Sequence, residues 1–322
     1  MTGRPGRASG SAPVGSAPAG SAAVGPDPGS PEPDGSAPDG TGQGGWGLQD
    51  VSVWHDDSLA LDHVSLVAAA GQVTAVVGGD GAGKTTLLRC LAGAQAPGSG
   101  RVSRPDVRRI GYLPASSGLY PDLTVAENLA FRAAAYGLTA DLAREQVAEY
   151  LDRAGLTAAR DRLVGQLSGG MRQKLGMIAA MVHRPDLLIL DEPSTGVDPV
   201  SRSDLWWLIA RAAAAGSAVV FSTSYLDEAE RAGLVVALDA GRELATGTPD
   251  EIVAAIPGTL RAAGERPGGQ DGLRAWRRGG HWRVWDPPGS GPGSGEAIPP
   301  DLQDAVTVAA LARELQLAGS LS

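Results

Sequence analysis

Four short aliphatic runs, VTAVV at 73–77, LLIL at 187–190, AVVF at 218–221 and LVVAL at 234–238, lack any alternation with polar residues. That is the pattern of strands buried on both faces. Helical spacing of apolar residues fills the intervals at 84–92, 141–153, 170–182, 201–214 and 226–231. Alternating strands and helices predict an α/β domain on a largely parallel sheet, spanning residues 46–256. One interval departs from the alternation. Residues 124–182 carry helical pattern with no convincing strand, which predicts an inserted helical subdomain at about 115–185.

The two ends differ from this body. Of residues 1–45, 33 are Gly, Pro, Ala or Ser, and only Met1, Val14 and Val24 are larger aliphatics. Such a segment cannot bury enough apolar surface to offset the entropy of ordering, so it is expected to be a disordered tail. Residues 257–322 read as a small accessory region. Gly/Pro-rich loops at 264–272 and 286–300 flank a strand-like HWRVW at 281–285, and a helical pattern occupies 301–317. Arg274, Arg277, Arg278 and Arg283 interleave with Trp276, Trp282 and Trp285, a mixture that stacking surfaces for nucleic acid also use. Seven arginines are balanced by seven acidic residues over 257–322, however, so the expectation is a hairpin with arginines along its rim.

Composition narrows the function classes. A chain of 322 residues suggests roughly two domains. The formal charge of −9 argues against general affinity for nucleic acid or anionic lipid. With Cys90 the only cysteine, neither a disulfide framework nor a four-cysteine zinc site can form. No apolar stretch approaches the 18 residues of a membrane span, and the opening MTGRPGRASGSAPVG lacks the apolar run of a secretory signal. A soluble, intracellular protein is expected. Only two of the 27 basic residues are lysines, Lys84 and Lys174, which singles both out.

Lys84 belongs to a motif. Residues 78–86, Gly78-Gly79-Asp80-Gly81-Ala82-Gly83-Lys84-Thr85-Thr86, satisfy G-x-x-x-x-G-K-[ST] between a predicted strand and a predicted helix. The glycines let the backbone wrap so that successive N–H groups face phosphate oxygens, and the helix N-terminus adds partial positive charge. Lys84 would reach the β- and γ-phosphates and the Thr85 hydroxyl would ligate Mg²⁺. LLILDE at 187–192 is a buried strand ending in two carboxylates. Asp191 would hold the Mg²⁺ through its bound waters, and Glu192 would act as general base on the attacking water. LSGGM at 167–171 opens a helix with Ser168 as N-cap, and Gly169 and Gly170 leave backbone N–H groups open.

Phosphate loop, LSGGM, LLILDE and TGVDP at 195–199, in that order, resemble the ATP-binding subunits of ABC transporters over about residues 46–256. The resemblance implies a P-loop NTPase of ABC type, binding ATP and Mg²⁺ and pairing head to tail with a second ATP-binding subunit, as a homo- or heterodimer. Ser168, Gly169 and Gly170 would then contact the γ-phosphate held by the partner's phosphate loop, and Asp198 would communicate across the dimer. The segment GLYPDLTVAENL at 118–129, Met171 closing the signature, and STSYLDEAE at 222–230 are similar to drug and polyketide exporters. That implies a separately encoded ABC-2-type membrane permease and a cytoplasmic position at the inner face of the membrane.

Three positions depart from the family. The aromatic residue expected to stack on adenine is His55 here, with Trp54 beside it. The glutamine expected after IGYLP (110–114) is Ala115, whose methyl group cannot touch a metal or orient water. The histidine expected after AVVFST is Ser224, a shorter and neutral donor. Losing positioned polar groups slows a chemical step by about 10²–10³ each, so slow hydrolysis is expected. The competing readings are a soluble ABC ATPase outside transport and a nucleotide-sensing subunit with weak turnover.

Overall fold

The structure, a computed structural model, describes residues 45–290 and 295–320. The expected disorder of the N-terminal tail falls, apart from Gly45, outside the described residues. The chain begins as a hairpin of β1 (Trp46–His55) and β2 (Ser58–Ala68), then enters β3 (Val73–Val77) and α1 (Lys84–Ala92). Strands β4 (Ser99–Ser103) and β5 (Ile110–Leu113) precede three helices, α2 (Val125–Ala135), α3 (Ala140–Arg153) and α4 (Gly169–Met181). Strand and helix then alternate: β6 (Leu187–Leu190), α5 (Pro199–Ala214), β7 (Ala218–Thr223), α6 (Leu226–Ala229) and β8 (Leu234–Asp239). Next come β9 (Arg242–Gly247) and α7 (Pro249–Ala254).

Six strands form the central sheet in the order β5-β6-β7-β3-β8-β9. All neighbours are parallel except β8 and β9. The unbroken aliphatic runs are explained by what covers each face. Leu187 and Ile189 of β6 face a layer shared with β1, β2 and α1, whereas Leu188 and Leu190 face α4 and α5. Alternate side chains thus feed two cores from one strand. The antiparallel β2-β1-β4 sheet builds the first of these layers.

The rest of the chain forms β10 (Thr259–Ala263), α8 (Gly269–Leu273), β11 (Ala275–Arg278), β12 (His281–Asp286), β13 (Glu296–Ala297) and α9 (Leu302–Ser320). The expected hairpin, β11–β12, is part of a four-stranded antiparallel sheet in the order β11-β12-β10-β13. Its arginines do not line a rim as the sequence suggested. Asp304, fully buried on α9, pairs with Arg278 and Arg283, and Arg261 bridges Asp286 at 2.8 Å and Asp271 at 2.6 Å. Arg274 pairs with Asp271 as well, so Arg277 alone of the four interleaved arginines stays exposed. The acidic partners stand on α8 (Asp271), at the end of β12 (Asp286) and on α9 (Asp304), and apart from the Arg274–Asp271 pair they lie ten or more residues from their arginines, which is why a local reading left the arginines on the surface. Leu302 and Ala305 of α9 join the main core. Val308 packs with Leu260 and Trp285 in a small core under the sheet.

Candidate nucleotide-binding site

The site forms where β3, β6 and β7 end side by side, with Val77 opposite Thr223 and Leu190 opposite Phe221. From β3 the chain turns through residues 78–83 into α1. Two positions there demand glycine. A Cβ on Gly78 would stand 2.5 Å from the Leu238 carbonyl oxygen, and one on Gly83 (φ 101°) would stand 2.7 Å from that of Ala60. The loop therefore lies tight against β2 and β8, with Lys84 at the N-terminus of α1.

Lys84 is 6% exposed, and its Nζ donates to the carbonyls of Gly78 (2.8 Å) and Gly79 (3.1 Å) and to Ser224 Oγ (3.1 Å). Glu192 Oε1 lies 3.4 Å from the same ammonium. Thr85 Oγ1 donates to Asp191 Oδ1 at 3.3 Å, an oxygen that also accepts from Ser222 Oγ at 2.7 Å. Glu192 leaves β6 with φ 48°, a left-handed turn that few non-glycine residues adopt. The backbone N–H of Glu192 donates to Ser222 Oγ, while Oε1 accepts from Ser224 Oγ (3.4 Å) and Oε2 from Thr195 Oγ1 (3.1 Å). Lys84, Thr85, Asp191, Glu192 and Ser224 are thus brought together, as the sequence predicts. Ser222, Thr195 and Gln173, whose Nε2 donates to the Glu192 carbonyl at 3.5 Å, support them and were missed. Ser222 had one legible signal, a polar residue directly after the aliphatic run AVVF at 218–221.

His55 and Trp54 part company at the end of β1. His55 Nε2 is 3.2 Å from Thr86 Oγ1, beside the phosphate loop. Trp54 instead lays its ring over Gly98, where a Cβ would stand 2.8 Å away, and remains 52% exposed. The imidazole, not the indole, therefore borders the loop. Ala115 sits exposed in the turn after β5 together with Ser116. Ser117 is buried against Gly176 of α4 and cannot substitute for the missing glutamine.

Ser168, Gly169, Gly170 and Asp198 form a second cluster. Ser168 Oγ caps α4 by accepting from the Met171 N–H. Asp198 caps α5, its Oδ1 accepting from Val200 (3.1 Å) and Ser201 (3.0 Å), and the Ser201 bonds hold its carboxyl below the usual range. Pro199 at the first helical position suits that cap. A Cβ on Gly170 would meet Asp198 Oδ2 at 3.3 Å, so the two caps abut. Among the described residues, no hydrogen bond or ion pair joins this cluster to the phosphate loop.

The donor set fits Mg²⁺. A threonine hydroxyl and a carboxylate converge, both hard oxygen ligands. Among the described residues no group of three or more His, Cys, Asp or Glu forms a cage, so phosphate and water would complete the coordination.

Comparison with known proteins gives the same picture. A family model described as ABC transporter matches residues 61–195. The Nod factor export ATP-binding protein I of Burkholderia pseudomallei (strain 1710b) is 37% identical over 218 residues, covering 64% of this chain and 72% of that protein. The chain belongs to the family of ABC transporter ATP-binding proteins. As a member of that family it binds ATP, and its phosphate loop, LSGGM and LLILDE all lie within the matched residues. The probable multidrug ABC transporter ATP-binding protein YbhF of Escherichia coli (strain K12) is 40% identical over 212 residues, 63% of this chain and 37% of YbhF. The chain thus spans little more than a third of that relative. A solved ATP-binding subunit of an ABC transporter superposes with a TM-score of 0.61 at 30% identity, covering 65% of this chain and 92% of that one. No described helix of this ABC ATPase is long and apolar enough to cross a membrane.

Proposed function

We propose that this chain is the ATP-hydrolysing subunit of an exporter, driving substrate movement through a separately encoded ABC-2-type permease. One observation carries the reading: Lys84, Thr85, Asp191, Glu192 and Ser224 meet at the ends of three adjacent strands. In this reading Lys84 and the open N–H groups of 78–86 bind the triphosphate, and His55 stacks on adenine, a role supported by its ring lying 3.2 Å from Thr86 Oγ1 beside the loop. A Mg²⁺ held by Thr85 and Asp191 would offset charge on the β- and γ-phosphate oxygens. Glu192 takes a proton from the attacking water, with Ser224 and Thr195 fixing its two oxygens. Ser168, Gly169 and Gly170 complete the site of a second ATP-binding subunit, and Asp198 lies beside them at that interface.

Further features support the partner and the rate. An apolar cleft of about 650 Å³ between α2 and α3, lined by Ala126, Ala130, Ala133, Val147 and Leu151, has small side chains that let a helix approach closely. It suits a short helix from a permease loop, which would place the chain peripherally at the inner face of the membrane. Relatives named for Nod factor export and multidrug transport support export as the direction. Ala115 supports slow turnover, because its methyl group positions nothing.

Phosphate release at saturating Mg-ATP, with and without membranes containing the permease, tests the proposal, with Glu192→Gln as the blank. Turnover above the blank that rises with the permease is expected. Turnover indifferent to any permease, with the chain left in the soluble fraction, would favour an ABC ATPase outside transport.

A further inference from the structure

Glu228 lies on α6, four residues beyond Ser224, and is 2% exposed. Burying a carboxylate is costly unless it is paired and hydrogen-bonded, so its partners reveal what it is for. Glu228 Oε2 accepts from Ser194 Oγ and from Thr223 Oγ1, each at 2.8 Å. Glu228 Oε1 stands 3.5 Å from Arg202 Nε on α5.

Each partner belongs to a segment that carries a residue of the site. Ser194 sits in the loop between the general base Glu192 and the α5 cap Asp198. Within that loop the Thr195 N–H donates to the Glu192 carbonyl at 3.2 Å, and the Val197 N–H donates to the Ser194 carbonyl at 3.2 Å. Thr223 immediately precedes Ser224, and its hydroxyl also accepts from the Tyr225 N–H at 3.0 Å, fixing the backbone on both sides of Ser224. Arg202 lies one turn along α5 from Asp198, donates its N–H to the Asp198 carbonyl, and covers the Tyr225 ring at 5.2 Å. One buried carboxylate therefore ties together the loop after the base, the strand end that presents Ser224, and the helix capped by Asp198.

We infer that Glu228 is a positioning residue for ATP hydrolysis, holding Glu192 and Ser224 in register with Asp198. The inference rests on the ATPase reading of the same site. Glu192 is the residue most in need of such support, because its left-handed backbone persists only where its surroundings fix it. Nucleotide binding rests on the phosphate loop and α1, which Glu228 does not touch, so its loss acts on turnover and not on affinity.

The test compares Glu228→Ala, Glu228→Gln and wild type by hydrogen exchange at residues 194–198 and 224–226, by calorimetric Mg-ATP affinity, and by kcat. In Glu228→Ala, exchange at the Thr195 and Val197 amides should quicken at least about tenfold. Its kcat should fall on the order of 10²-fold, the usual effect of misplacing a catalytic group by an ångström, with Kd within about twofold. In Glu228→Gln the amide oxygen can still accept both hydroxyls, while the amide N–H₂ faces Arg202 Nε–H and the buried ion pair is lost, so kcat should recover in part and stand well above that of Glu228→Ala. Unchanged loop exchange, unchanged kcat, or a Kd that moves in step with kcat would overturn the inference. Should Glu228→Ala not fold, Ser194→Ala removes one hydrogen bond without a large cavity and must show the same faster loop exchange at unchanged Kd. If wild type itself shows no turnover above Glu192→Gln, the ATPase reading fails, while the exchange data still judge whether Glu228 holds the loop.

Discussion

Acid should loosen this protein through His183, which joins the helices of 124–182 to the central sheet. The imidazole follows α4 and stacks on Tyr136 at the end of α2, with ring centroids 3.5 Å apart and planes within 4°. Neither ring nitrogen has a hydrogen-bond partner among the described residues; the nearby Ile110 carbonyl accepts from Tyr136 Oη at 3.3 Å. Burial pushes His183 down from 6.5 to about 4, the Arg132 guanidinium pushes the same way, and the Ile110 carbonyl opposes both. The folded-state value is depressed, so the folded chain refuses a proton that the unfolded chain accepts. Stability is therefore complete above pH 6.5, falls as the pH drops from 6.5 to about 4, and falls no further from this group below that. At about 1.4 kcal/mol per tenfold, the loss between pH 8 and pH 5 is at most about 2 kcal/mol, partial solvent access reducing it. Urea unfolding followed by tryptophan fluorescence at pH 8, 6.5 and 5 measures it. His183→Phe keeps the ring stack and removes the titration, together with the imidazole's polar approach to the Ile110 carbonyl. Wild type should lose about 1–2 kcal/mol more than His183→Phe between pH 8 and 5. Carboxylates titrate alike in both and cancel. Equal pH dependence in the two proteins would refute the account.

Three further outcomes are expected at the nucleotide site. Lys84→Ala removes the ammonium that faces the phosphates and should abolish tight Mg-ATP binding; wild-type affinity by calorimetry would contradict the site. Glu192→Gln should bind ATP without cutting it, so that size measurement at high protein and Mg-ATP concentration finds a closed dimer, whereas a persistent monomer would count against a homodimeric sandwich. Ser224→His returns a larger donor within reach of Lys84 and Glu192 and should raise turnover about tenfold, or 1.4 kcal/mol of barrier; phosphate release unchanged from wild type would show that Ser224 does not limit the step.

The parts of the fold legible in the sequence are those whose burial is complete. Strands β3, β6, β7 and β8 contribute side chains to a core on each face, so nothing interrupts their aliphatic runs. The β1–β2 hairpin escaped a strand assignment because one face is exposed and its register shifts three times, at Leu48/Val51, Val51/Val53 and Val53/Trp54. Each shift breaks the period-two signal that marks a half-buried strand. In the accessory region the pairing of 259–263 with 281–286 is non-local. Arg278 is held by Asp301 and Asp304 and Arg283 by Asp304, each more than 20 residues further along the chain. Balanced charge was visible; which charge met which was not.

A similar boundary runs through the site. Residues whose work depends on contiguous backbone, such as Gly78 to Thr86, are readable because phosphate binding requires that local geometry. Residues that act through another side chain are readable only when the partner is known. Ser222 and Glu228 stand in the same short segment as Ser224, yet one orients Asp191 from 31 positions away and the other holds Ser194 from 34. The structure also alters the weight of the departures from the family pattern. Ser224 keeps polar contact with both Lys84 and Glu192, so replacing histidine there shortens the donor without emptying the position. At Ala115 nothing of the kind holds, because Ser117 has turned into the packing against α4. Of the two missing groups, the glutamine is therefore the one whose loss the surrounding residues leave uncompensated.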